Sequence, residues 1–218
     1  DPCRSRGLGD VYKRQFMAAL PEHAKVVVIG QGGIVGASVV HHLIEEGWDD
    51  IVGLEKSAIP TDIGSTSHAS DFCYMTSHDK LNVFTSNYSR EFYKQRGNYI
   101  QIGGMEVARK DDDERMLELI RKVGSGKAFG TNAYMISAAE AKEKFPLLEE
   151  DQIQGAMWDP DAGLVTPRSQ KVAGDLVDEA VASGKLKAFA YTTANKILVE
   201  DGVAVGVETP KGTIMADY

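Results

Sequence analysis

Four glycines, one acid and one histidine carry the chemistry this sequence offers. Gly30, Gly32, Gly33 and Gly36 stand between the apolar run Lys25 to Ile29 and an amphipathic stretch, and Glu55 follows 19 residues after Gly36 at the end of a second apolar run. A diphosphate set against a helix N-terminus gains from N–H groups that have no intrahelical partner and from the helix dipole. Glycine there lets the chain turn and the phosphates approach the backbone. A carboxylate at the Glu55 position accepts from ribose hydroxyls, which implies a free 2′-hydroxyl rather than a 2′-phosphate. The set reads as a dinucleotide socket, suited to NAD as well as FAD. Its G-x-G-x-x-G spacing contains one inserted residue, because from Gly30 the last position is Val35 and counting back from Gly36 the first is Gln31.

Just downstream the chain reads Gly64-Ser65-Thr66-Ser67-His68. Ser65, Thr66 and Ser67 offer hydroxyls and backbone N–H groups to a nearby ligand, and a neutral imidazole at His68 is a nucleophile.

The elements that position these residues follow from apolar spacing. Lys25 to Ile29 (KVVVI) is continuous, as in a parallel strand buried on both faces. Ile34, Val35, Val39, Val40, Leu43 and Ile44 recur at helical spacing up to Gly47, and Asp50 to Leu54 supplies the next strand. Strand, helix and strand form a right-handed βαβ unit. A helix is expected from about Lys80 to Arg96 with Leu81, Phe84, Tyr88 and Phe92 turned to the core. Tyr99 to Ile102 and Glu106 to Arg109 are expected to pair as antiparallel strands. Asp111 to Val123 is a further helix whose acidic start complements the dipole, and Ser137 to Glu140 is a capping box before Pro146. Ile153 to Trp158 returns as a strand. A helix then opens at Thr166-Pro167 and closes at Gly184, and strands follow at Leu186 to Tyr191, Lys196 to Glu200, Val203 to Thr209 and Thr213 to Ala216. The order is that of an α/β protein with an inserted piece.

Composition narrows the class of partner. At 218 residues and 43% hydrophobic the chain can bury a core, and a net charge of -8 argues against nucleic acid or an anionic membrane surface. A small-molecule ligand remains. No apolar stretch approaches the roughly 20 residues of a membrane span. Only Cys3 and Cys73 are present, which excludes a disulfide framework or a Cys-rich metal site and fits a reducing compartment, the cytoplasm. Residues 1–16 read as a non-native leader: DVYKRQ at Asp10 to Gln15 resembles a translated sequencing-library adapter, with Met17 as the start. GTIMADY at Gly212 to Tyr218 reads as a strand broken off, so a fragment is expected.

GSTSH followed by ASDF (Ala69 to Phe72) resembles the flavin-attachment segment of the dimethylglycine oxidase and dimethylglycine and sarcosine dehydrogenase family, FAD-dependent oxidoreductases of the D-amino-acid-oxidase type. The likeness runs on through LEKSAIP, QIGGMEVAR at Gln101 to Arg109, SAAEAKEKFPLL at Ser137 to Leu148 and QGAMWDPDAGLVTPRSQ at Gln154 to Gln170. It implies a Rossmann-like FAD-binding βαβ domain (17–78 and 160–218) with an inserted antiparallel-sheet substrate domain, incomplete here (79–159). It also implies that FAD is bonded to His68 through its 8α-methyl, with Ile34, Val35, Glu55, Lys56 and Phe72 lining the cofactor and Ala194 meeting the adenine side. Relatives carry Gly where Asp71 stands, so the chain after His68 is expected to bend differently.

The activity implied is oxidation of an N-methyl amine such as dimethylglycine or sarcosine, with hydride passing to flavin N5 and water or tetrahydrofolate taking the one-carbon product. No catalytic residue carries over, because the family's substrate-site residues and folate-binding half lie beyond Tyr218. Two other function classes stay open, an NAD-dependent dehydrogenase and a non-catalytic flavin-binding fragment. His78 is placed at an exposed helix start, Cys73 as a small buried hydrophobe, and Tyr74 and Trp158 in core packing.

Overall fold

The computed structural model describes residues 19–218, and the expected leader lies outside them. In chain order the elements are β1 (His23–Ala24), β2 (Val26–Ile29), α1 (Ile34–Glu45), β3 (Ile51–Leu54), a 3-10 turn (Ser65–His68), β4 (Phe72–Cys73), α2 (Lys80–Gln95), β5 (Tyr99–Gln101), β6 (Gly104–Arg109) and α3 (Asp113–Ala128). There follow β7 (Tyr134–Ser137), α4 (Ala138–Lys144), β8 (Ile153–Asp159), β9 (Gly163–Val165), α5 (Ser169–Ala182), β10 (Leu186–Phe189), β11 (Lys196–Glu200), β12 (Val203–Thr209) and β13 (Gly212–Ala216). The chain forms two compact units, one taking the described residues up to Ala69 together with Arg168–Tyr218, the other Ser70–Pro167.

The first unit is built on the parallel sheet β10-β3-β2, with Val26 opposite Ile51 and Leu186 opposite Ile51 on the other side. β3 is flanked on both edges, and all four of its residues are buried, which is why IVGL carries no polar side chain. α1 and α5 pack against each other beside this sheet. Ala24, Val52, Leu54, Phe189, Val207 and Ile214 form a core shared with the second sheet, β1-β13-β12-β11. Burial of each large aliphatic side chain there contributes about 1.5–3 kcal/mol. Gly36 sits where a Cβ would lie 2.4 Å from the Gly30 carbonyl oxygen, so only glycine lets α1 cross the turn this closely.

The second unit holds two antiparallel sheets, β6-β8-β7 and β4-β9-β5. Ala108, Leu119, Val123, Ala133 and Met157 form one core cluster, with α3 packed on β6 and β8. Ile136, Ala141, Ile153 and Ala156 form another, beneath α4. Ser137 and Glu140 make the reciprocal capping box, and those bonds hold the Glu140 carboxyl below the ordinary range.

Three expectations fail here. β5 and β6 do not pair: β5 joins β9 while β6 joins β8. Gly103, at φ 76° and tight against the Trp158 ring, turns the chain from one sheet to the other. The apolar stripe of α2 is not core, since Leu81, Phe84 and Tyr88 are exposed and Val83 is the helix's buried residue. Its inner side carries Arg90 instead, 16% exposed at the side chain and paired with Asp161 at 3.3 Å. The last long helix starts at Ser169, with Arg168 as N-cap, rather than at Thr166-Pro167. Thr166 is held outside the helix by Asn98, whose carbonyl accepts from its N–H at 2.9 Å and whose side-chain amide donates to its carbonyl at 2.8 Å.

Candidate functional site

β2 ends at Ile29, and the turn that follows opens a cavity of about 470 Å³. Gly30 adopts φ 83°, a left-handed conformation suited to glycine, and its N–H and that of Gln31 both donate to the Leu54 carbonyl. Nothing lies within 4 Å of where a Gly30 Cβ would stand, so the backbone is bare on that side. Gly33 caps α1 without a side-chain bond. The Ile34 N–H donates to Thr66 Oγ1 at 3.0 Å, which leaves the amides of Val35 and Gly36 without an intrahelical acceptor. Gly30, Gly33, Val35 and Gly36 all line the cavity.

Glu55 stands at the end of β3 and is only 5% exposed, yet it lines the same cavity. Its Oε1 accepts from the Ser57 N–H at 3.0 Å and hydroxyl at 3.1 Å, and its Oε2 accepts from the Gly32 N–H at 3.2 Å. Gly32 is required by that acid: a Cβ on it would fall 2.7 Å from Glu55 Cγ. β10, parallel to β3, brings the segment after Phe189 alongside, where Glu55 N–H donates to the Phe189 carbonyl and Thr192 N–H to the Glu55 carbonyl. Thr192, Thr193 and Ala194 thereby join the cavity wall.

The GSTSH stretch closes the cavity edge with Gly64, Ser65 and Thr66, and Ser65–His68 coil into a 3-10 turn. Arg168 donates to the carbonyls of Ser67 and Ala69, and Ser169 Oγ donates to the Thr66 carbonyl at 3.2 Å, so the start of α5 pins the turn. His68 is exposed, and its Nδ1 lies 3.0 Å from both the Gly64 carbonyl oxygen and Ser67 Oγ. A carbonyl can only accept, so the contact with Gly64 suits the tautomer that donates from Nδ1, the one whose lone pair is on Nε2.

Of the residues expected at the cofactor, Gly30, Gly33, Val35, Gly36, Glu55, Lys56, Ser65, Thr66 and Ala194 line the cavity. Gly32, Ile34, Ser67 and His68 stand behind or beside it in the same unit, tied through the bonds just described. Phe72 belongs to the other unit, where its ring covers Gly104 and meets Tyr74 edge-on at 4.7 Å. Ile29, Leu54, Thr61, Ile63, Thr192 and Thr193 also line the cavity. The adjacency of Thr192 and Thr193 follows from the parallel placement of β10 and has no motif of its own.

Outside the cavity the chemistry-bearing side chains serve structure. Asp159 is fully buried and accepts from the N–H groups of Met75 and Asp161, while Asp161 receives Asn132, Gln101 and Arg90. His78 is exposed and lies 2.5 Å from Glu118. Burial, aided by the Asp71 charge, pushes the Cys73 thiol up. Asp71 itself takes φ 62°, the left-handed bend a glycine adopts without strain.

These residues fit the adenosine diphosphate end of FAD: bare glycine backbone and free first-turn amides for phosphate, a fixed carboxylate for ribose, and a long wall of threonines and aliphatics. The chain is 32% identical over 207 residues to the mitochondrial pyruvate dehydrogenase phosphatase regulatory subunit of Mus musculus, covering 92% of this chain and 23% of that protein. Against the mitochondrial sarcosine dehydrogenase of Homo sapiens it is 30% identical over 207 residues, covering 89% and 22%. The chain thus spans less than a quarter of either relative. The crystal structure of L-proline dehydrogenase from P. horikoshii superposes with a TM-score of 0.77 at 29% identity, covering 90% of this chain and 52% of that one. A family profile described as FAD dependent oxidoreductase (DAO) matches residues 25–218, and the chain belongs to that family.

Proposed function

We propose that this chain is the FAD-holding part of an oxidoreductase acting on an N-methyl amine of the dimethylglycine or sarcosine type, with the flavin attached through His68. In the bound state the flavin supplies the hydride acceptor. Gly30, Gly33 and the amides of Val35 and Gly36 hold the diphosphate, Glu55 the ribose, and Thr192 to Ala194 the adenine side. His68 carries the proposal. It sits at the end of the turn whose first residues edge the cavity, and its Nδ1 faces the Gly64 carbonyl, a contact suited to the tautomer with its lone pair on Nε2. The likeness to sarcosine dehydrogenase supports the substrate class. Capture of the one-carbon product by tetrahydrofolate and a cytoplasmic location belong to the same proposal; no helix among the described residues is long and apolar enough to cross a membrane.

The test is anaerobic mixing of the complete polypeptide with sarcosine and with dimethylglycine. Loss of the flavin absorbance with either amine supports the proposal, and a flavin that neither bleaches contradicts it. A second reading, a flavin-binding domain without catalysis, is favoured by the likeness to a phosphatase regulatory subunit. It predicts bound flavin that no amine reduces.

A further inference from the structure

A second cavity, of about 470 Å³, opens in the unit Ser70–Pro167 and shares no residue with the FAD cavity. Its size is that of a pocket for a small organic molecule, typically about 300–1,000 Å³. Met105 of β6 stands opposite Trp158 of β8, and Val107 opposite Ala156, so Met105, Val107 and Trp158 share one face of the sheet. With Phe145 and Leu148 from beyond α4 they make an apolar wall. Trp158 is its fixed part. Gly103 turns at φ 76° against the ring, where a Cβ would fall 2.1 Å from Cζ2, so backbone rather than a yielding side chain backs the indole.

Among the residues lining this cavity only Lys144, at the end of α4, is ionisable. Its Nζ stands 4.3 Å from the centre of the Trp158 ring. Glu140, one turn earlier, spends its carboxylate on the N–H and hydroxyl of Ser137. An ammonium resting on a π face keeps its N–H donors on the side away from the ring, where they suit an anionic acceptor. We infer that this cavity binds a small carboxylate with an apolar body, the body against Met105, Val107 and Leu148 and the carboxylate on Lys144. An amine of the same shape sets a second cation beside Lys144, and an alcohol gains from burial alone. The inference is independent of the FAD proposal.

The experiment titrates the chain, as a Trp48→Phe variant, with octanoate, octanol and octylamine while tryptophan emission is followed. Trp48 and Trp158 are the two tryptophans of the sequence, and Trp48 packs on Tyr218, so the remaining emission reports the cavity wall. Octanoate is expected to shift Trp158 emission with an affinity about fivefold higher than octanol, with octylamine the weakest, since Lys144 is exposed and its ion pair is correspondingly modest. Lys144→Met brings the three ligands within about twofold of one another, and Lys144→Arg keeps their order. Equal affinities in the Trp48→Phe chain overturn the inference, as does a preference for octanoate that survives Lys144→Met. Silence of Trp158 toward all three also overturns it and assigns the cavity to a protein segment.

Discussion

The N–H of Ile34 donates to Thr66 Oγ1 at 3.0 Å, so a side chain 32 residues downstream caps the helix that follows the glycine turn. The two motifs of the sequence are one site joined at this bond. Thr66 is buried, and its carbonyl in turn receives Ser169. The hydroxyl therefore works on the protein before any ligand is present.

Thr66→Val removes the cap and leaves the half-buried Ile34 amide facing a methyl group. A loss of about 1–2 kcal/mol in urea unfolding is expected, with Thr66→Ser close to the parent. A Thr66→Val variant as stable as the parent would show that the bond carries no weight.

Asp71 occupies a left-handed conformation, φ 62°, which costs a residue with a Cβ about 1 kcal/mol and glycine almost nothing. Aspartate here takes a conformation that glycine adopts freely. Asp71→Gly is expected to raise the unfolding midpoint and Asp71→Val to lower it. Differential scanning fluorimetry giving the opposite order would refute the strain argument.

Cys73 tests the electrostatics of the same loop. Burial first, and the Asp71 carboxylate second, disfavour the thiolate, so half-maximal alkylation falls above the pH of an ordinary thiol. Removing the Asp71 charge lowers that midpoint, because a negative neighbour raises an acid's pKa. Peptide-mapped iodoacetamide labelling across pH separates Cys73 from Cys3. Half-labelling at or below the ordinary thiol pH would contradict the account.

The βαβ unit was legible because its strands are apolar throughout and its helix repeats at 3.6 residues; β3 is buried at all four positions, whereas Ile29 of β2 and Val35 and Val39 of α1 keep the pattern but are exposed. α2 shows where periodicity runs out. Its Leu81, Phe84 and Tyr88 follow helical spacing but are exposed, and the inward side relies on Arg90 and its bond to Asp161, which a hydrophobic pattern does not register. The cavity was half legible. Glycines and an acid have motif spacing, whereas Thr61, Thr192 and Arg168 reach their places through sheet order and the start of α5, not through local sequence.

Gln31, within the glycine turn, is fully buried, and its amide oxygen and nitrogen have no hydrogen-bond partner. Its side chain lies over Gly53, where a Cβ would fall 2.5 Å from Gln31 Cδ. Gln31→Met keeps the shape and removes both orphan atoms, so stability is expected to rise by about 1 kcal/mol. A fall in the urea midpoint would mean that the amide is satisfied.

The central claim is that His68 anchors the flavin, and precipitation of the purified yellow protein with acid tests it most directly. The account predicts that flavin absorbance stays in the pellet, maps to the peptide containing His68, and moves to the supernatant in His68→Ala. Free flavin in the supernatant of the unmodified protein would contradict it.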